Sequence, residues 1–120
     1  MNLLAFDIGG SSVKYGLWKN EKLAEQDSFP LPKDWIEMKQ IFKQIFDQKS
    51  QKTTLSGVAF SAPGVVDDKK GEIRGVSAVP YIHHFPIREE LETLFGVPVS
   101  MENDANCAAL AEVWQGAAKD

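Results

Sequence analysis

The sequence contains a single cysteine, Cys107, in 120 residues, so no intrachain disulfide can close and no zinc site of Cys/His spacing can be built. Its alanine-rich surroundings mark it as a small core residue rather than a reactive thiol. Long hydrophobic runs are also missing. No stretch approaches the roughly 20 apolar residues of a membrane helix. The opening run from Leu3 to Phe6 lacks a basic leader and breaks at Asp7. It reads as neither signal peptide nor anchor, and the expectation is a cytoplasmic protein with no membrane partner. Positive charge is not in excess: 13 Lys and Arg stand against 17 Asp and Glu, interspersed, for a net charge of −4. That balance argues against nucleic acid as a partner, because phosphate neutralisation needs a concentrated basic face. Two nucleotide-binding signatures are absent as well: there is no Walker A spacing and no Gly-x-Gly-x-x-Gly fingerprint.

What is present is the balance of a soluble globular domain, 43% hydrophobic and 25% charged. Leu3 to Phe6 is a short buried strand that leads into Asp7-Ile8-Gly9-Gly10. Ser12 to Trp18 alternates in the manner of a strand, and Leu23 to Phe29 follows a polar tip, so the three form an antiparallel meander. Pro30 and Pro32 end it. Asp34 with Glu37 three residues on resembles a capping box, and Trp35, Met38, Phe42, Ile45 and Phe46 recur at helical spacing over 34–49. This aromatic stripe is expected to be core. Leu55 to Phe60 is another strand, and 65–68 with 72–76 suggest a small hairpin around Lys69-Lys70-Gly71. A helix runs from Pro86 to Phe95 and stops at Gly96, Val97 to Met101 is the last strand, and a small-residue helix covers 104–118. The order implies an α/β fold, a mixed sheet covered by helices.

Three motifs follow predicted strands, where ligands of such sheets bind. In Asp7-Ile8-Gly9-Gly10-Ser11-Ser12-Val13-Lys14 the glycines permit a tight turn whose amides can face phosphate oxygens. Ser11, Ser12 and Lys14 add donors and charge, and Asp7 suits a hydrated magnesium ion. Taken alone, it is equally a Gly-Gly hairpin beside a solvated carboxylate. Pro63 and Gly64 in Ser61-Ala62-Pro63-Gly64-Val65-Val66-Asp67 form either a ligand-facing loop or a bare turn. In Glu102-Asn103-Asp104-Ala105-Asn106, Asn103 and Asp104 either cap a helix or face a cleft, where Asp104 could accept a proton from a sugar hydroxyl. His83 and His84 are expected to be partly exposed loop residues.

Together these stretches, with Asn103-Asp104-Ala105-Asn106-Cys107-Ala108-Ala109-Leu110-Ala111-Glu112, resemble the ROK family in order and spacing over essentially the whole chain. The resemblance implies an actin-like ATPase (ribonuclease H-like) domain whose five-stranded sheet combines the meander with parallel strands. It also implies ATP-dependent phosphorylation of a hexose or hexose derivative, with ATP and Mg2+ as cofactors. Asp104 would be the general base, and Pro63, Gly64, Asn103 and Asp104 would meet the sugar. Asp7, Gly9, Gly10, Ser11, Ser12 and Lys14 would line the phosphate site, with no resident metal ligands. Residues 1–120 would be the amino-terminal lobe, inactive without a second lobe and prone to homodimerise through the apolar surface left open. The family often carries an Asn and a Trp before Pro86, where this chain has Val79-Pro80-Tyr81-Ile82-His83-His84.

Three rival readings remain. A sugar-sensing ROK regulator would need a helix-turn-helix, for which no room precedes Asp7. A non-catalytic sugar- or nucleotide-binding module fits the retained Asp104 and Gly-Gly hairpin less well. An acetate- or glycerol-kinase relative matches the stretch from Asn103 to Asn106 less well.

Overall fold

The computed structural model describes residues 2–20 and 22–103. Their strands are β1 (Leu3–Ile8), β2 (Ser12–Lys19), β3 (Lys22–Pro30), β4 (Gly57–Ala62), β5 (Val65–Asp67), β6 (Glu72–Arg74) and β7 (Val99–Asn103). The α-helices are α1 (Trp35–Ser50) and α2 (Ile87–Phe95), with a 3-10 turn at Pro80–Ile82. The main sheet has the order β3-β2-β1-β4-β7. β1 pairs antiparallel with β2 and parallel with β4, and β4 pairs parallel with β7. This is the expected meander joined to parallel strands. β5 and β6 form a separate hairpin.

Alternation decides which face of the sheet is covered. In β1, Leu4, Phe6 and Ile8 are buried while Leu3, Ala5 and Asp7 are only partly covered. Side chains of a strand point alternately to its two faces, so the first set meets the helices and the second the opposite face. Phe6 packs on Phe42 of α1 with ring centroids 4.2 Å apart, and Phe46 of α1 packs on Phe95 of α2 at 4.9 Å. Met38, Phe42, Ile45 and Phe46 are buried as the helical spacing requires. Trp35, half-buried, turns its indole N–H to Glu90 Oε1 at 3.0 Å.

Both helices have identifiable ends. Asp34 precedes α1 with extended backbone, and its Oδ1 accepts from the Glu37 N–H at 2.8 Å. Asp34→Ala is expected to cost about 1 kcal/mol of stability, measurable as a lower urea midpoint with an unchanged slope. An unchanged midpoint would show that the cap does not matter here. α2 stops at Gly96, whose φ of 74° is left-handed and whose N–H reaches Glu92 O at 2.8 Å.

Two strands run further toward the site than residue polarity suggests. β1 continues through Asp7 to Ile8, and β4 continues through Ser61 to Ala62. The ladder is made by backbone groups, and Asp7 has ladder neighbours on both sides, Lys14 and Ser61. The last strand begins at Val99 rather than Val97 because Pro98 has no N–H to give; its carbonyl instead accepts from Val58 N at 3.0 Å. The expected helix over 104–118, with Cys107, lies outside the described residues.

Candidate functional site

Parallel pairing brings the sequence motifs to one end of the sheet. Asp7, Ser61 and Glu102 are in register across β1, β4 and β7, and Ala62 faces Asn103 one step further on. The chain therefore leaves three neighbouring strands at the same edge. Strand spacing of about 4.8 Å puts the backbone ends of β1 and β7 roughly 10 Å apart there. Asn103 closes β7. Asp104 lies outside the described residues.

The hairpin after β1 is tight. Gly9 N donates to Ser12 O at 2.9 Å, and Leu31 N donates to Ser11 O at 3.1 Å, which ties the end of the meander to the same turn. A Cβ at position 9 would lie 3.2 Å from Ser12 O. Close backbone approach, not a left-handed φ, is what asks for glycine there. Because the Gly9 N–H is engaged inside the turn, it does not face outward as the sequence suggests. The N–H groups of Gly10 and Ser11 have no partner among the described residues and are the ones open to an anion. Gly10 and Ser11 are exposed and Ser12 half-buried. Lys14 is exposed on β2 directly across from Asp7, so both side chains stand on one face, without an ion pair between them.

Asp7 has a partner that sequence reasoning missed. The fully buried Ser61 donates its hydroxyl to Asp7 Oδ1 at 2.7 Å. Only the parallel register of two strands 54 residues apart creates this contact, so no local pattern could signal it. The bond orients the carboxylate and leaves its second oxygen for another donor.

Beyond β4, Gly64 has a φ of 111°, which side chains rarely adopt. A Cβ there would stand 2.7 Å from His83 Cε1 and 2.8 Å from Arg74 O. The segment from Gly75 to His84 thus packs on the Pro63–Gly64 loop. It also reaches the Gly9–Gly10 hairpin: a Cβ on Gly10 would lie 3.4 Å from that of Ala78. His83 is half-buried and hydrogen-bonded; His84 is exposed, with its ring Nε2 2.9 Å from Gly75 O. Tyr81 donates its phenol to Pro32 O at 2.5 Å. Burial, with the negative charges of Asp34 and Glu37 beside it, pushes the Tyr81 phenol up from its ordinary pKa, so it remains a donor at neutral pH. Among the described residues no group of His, Cys, Asp and Glu could hold a metal ion, and no helix is long and apolar enough to cross a membrane.

The ROK family model matches residues 3–120. The chain belongs to the ROK family. A β-glucoside kinase of Listeria monocytogenes is 36% identical over 129 residues, covering 100% of this chain and 40% of that protein. Among solved structures, a ROK family protein of Streptococcus pneumoniae in complex with sucrose has a TM-score of 0.79 at 36% identity, over 94% of this chain and 38% of that one. A ROK glucokinase of Streptomyces griseus in complex with glucose and AMPPNP has a TM-score of 0.79 at 25% identity, over 91% and 35%. The ROK fold is therefore the actin-like one that the sheet order expresses. The chain spans about 40% of the length of the curated ROK relative.

Proposed function

We propose that this chain is the first lobe of a two-lobe ROK sugar kinase that moves the γ-phosphoryl group of ATP to a hydroxyl of a hexose or hexose derivative. The observation that carries this reading is the convergence, at one end of three parallel strands, of the Gly10–Ser11 amides, the Pro63–Gly64 loop and the end of β7 at Asn103. It is supported by similarity to a glucokinase crystallised with glucose and AMPPNP and to a β-glucoside kinase.

In this reading each group has a physical task. The free amides of the hairpin, with Ser11 and Ser12, take phosphate oxygens and offset charge that grows during transfer. Lys14 adds a positive field on the Asp7 face. Asp7, oriented by Ser61, accepts from the water shell of a magnesium ion, which gives up its hydration reluctantly. ATP supplies the phosphoryl group, and transfer of this kind depends mainly on positioning and charge neutralisation. Asn103 and the Gly64 backbone hold the sugar while Asp104 orients its hydroxyl and takes the proton. Exposed apolar residues, Val65 and Val76 among them, would be covered by the second lobe or by a second copy of the chain.

A half-cleft neither excludes water nor orients both reactants, so the 120-residue chain is expected to show no turnover by itself. A coupled ADP-release assay with glucose, fructose, methyl β-glucoside, N-acetylglucosamine and N-acetylmannosamine tests both forms. Turnover by the full-length protein and none by this chain is the expected result. Sugar binding without phosphorylation by the full-length protein would replace the kinase with a binding module.

A further inference from the structure

We propose that His83 is a positioning residue: through Ser77 it locks the Pro63–Gly64 loop to the segment that abuts the phosphate hairpin, so that the two loops keep one relative placement. This role rests on the sugar-kinase reading above for its effect on catalysis, though not for its geometry.

Hydrogen-bond chemistry fixes the direction of the contacts. Ile73 O can only accept; it takes the His84 N–H at 2.9 Å and lies 3.3 Å from His83 Nδ1. A carbonyl has two lone pairs, so both contacts are satisfied when Nδ1 carries the proton. In the neutral ring Nε2 is then an acceptor, and among the described residues its partner is Ser77 Oγ at 2.7 Å. The Ser77 hydroxyl therefore donates to His83, and its lone pair accepts the Val79 N–H at 3.1 Å. The other acceptor within reach of that hydroxyl, Val79 O, is farther away at 3.5 Å, so the short contact to His83 takes the proton.

The linkage runs between the two loops. On one side the His83 ring edge stands over Gly64, so close that any Cβ there would collide with it at 2.7 Å. On the other side Ser77 precedes Ala78, whose methyl approaches Gly10 of the hairpin. His84 braces the turn: its φ of 66° is left-handed, tolerated by His better than by most residues, and its own ring binds Gly75 O. Loosening the His83–Ser77 bond would let the sugar-side loop move relative to the phosphate hairpin without removing any group that touches either ligand. The prediction is thus a loss of sugar affinity with ATP affinity retained.

The test uses the full-length protein with two readouts. His83→Phe keeps a ring over Gly64 but removes both ring bonds, Ser77→Ala removes the hydroxyl alone, and Ser77→Thr keeps it. With glucose and methyl β-glucoside, His83→Phe and Ser77→Ala should each raise sugar KM by about tenfold, with KM for ATP unmoved and kcat changed less. Ser77→Thr should restore the sugar KM, and the double variant should be no worse than His83→Phe, because both break one unit. Independently of any substrate, hydrogen exchange in peptides spanning 61–66 and 75–82 should speed up together in both damaging variants. Sugar KM unmoved by either change, additive penalties, or faster exchange in only one segment would overturn the proposal. If the wild-type protein phosphorylates none of the five sugars named under the proposed function, the kinase reading fails and the exchange result alone decides the role of His83.

Discussion

Replacing Asp104 by asparagine in the full-length protein is expected to lower kcat for sugar phosphorylation by about 10²–10⁴-fold, the usual contribution of a positioned general base, with ATP affinity unchanged. Asparagine keeps the size and hydrogen-bonding shape of the side chain but cannot take a proton. An ordinary aspartate, with a pKa near ~3.9, is ionised at neutral pH and ready to do so. The described structure brings β7 to Asn103 beside Ala62, at the end of the sheet that holds the hairpin. Steady-state ADP release gives kcat, and calorimetric titration gives the ATP affinity. Near-normal turnover in the variant would remove Asp104 from this role, and a collapse of ATP binding would reassign it to the nucleotide side.

Gly64→Ala should combine a stability loss with a defect in sugar use. The backbone at Gly64 has a φ of 111°, and an added methyl would meet His83 Cε1 at 2.7 Å, Arg74 O at 2.8 Å and Ile73 Cγ2 at 2.9 Å. Backbone strain and overpacking each cost about 1–3 kcal/mol, so a total of roughly 2–6 kcal/mol is expected from urea unfolding. Two of the three clashing atoms belong to backbone or to a β-branched side chain, which yield little. The loop itself must therefore move, and sugar KM should rise by tenfold or more while the ATP constant holds. Wild-type stability together with wild-type sugar KM in Gly64→Ala would show that the loop relaxes freely and is not part of a rigid sugar site.

Much of the fold was legible because local chemistry and tertiary demand agree. The stripe from Trp35 to Phe46 has one period, and only a helix over a hydrophobic sheet face satisfies it. Asp34 and Gly96 mark helix ends through backbone needs that few residues meet. The meander follows from short alternating runs joined by tight turns. The site was legible only in part. Glycine pairs and a Pro-Gly turn mark where backbone approaches something, yet not which amide is free: Gly9 turned out to be engaged and Gly10 open. Ser61 and Ser77 carried no signal, since the partner of each is chosen by register or by loop packing. His83 and His84 are partly exposed loop residues as expected, and only the fold of the loop gives each ring its separate partner. Strand ends were misplaced for a related reason, as polar side chains say nothing about whether the peptide groups between them still have neighbours.

The central position of β1 also sets an order of events for a polypeptide emerging from the ribosome. Its partner β2 arrives at once, whereas the flank that Gly57 to Ser61 will occupy must wait for a contact 54 residues downstream. Until then the most apolar strand of the sheet is zipped on one side and bare on the other. That interval, rather than any weakness in the finished molecule, is when a nascent chain of this topology is most exposed to pairing with the wrong neighbour.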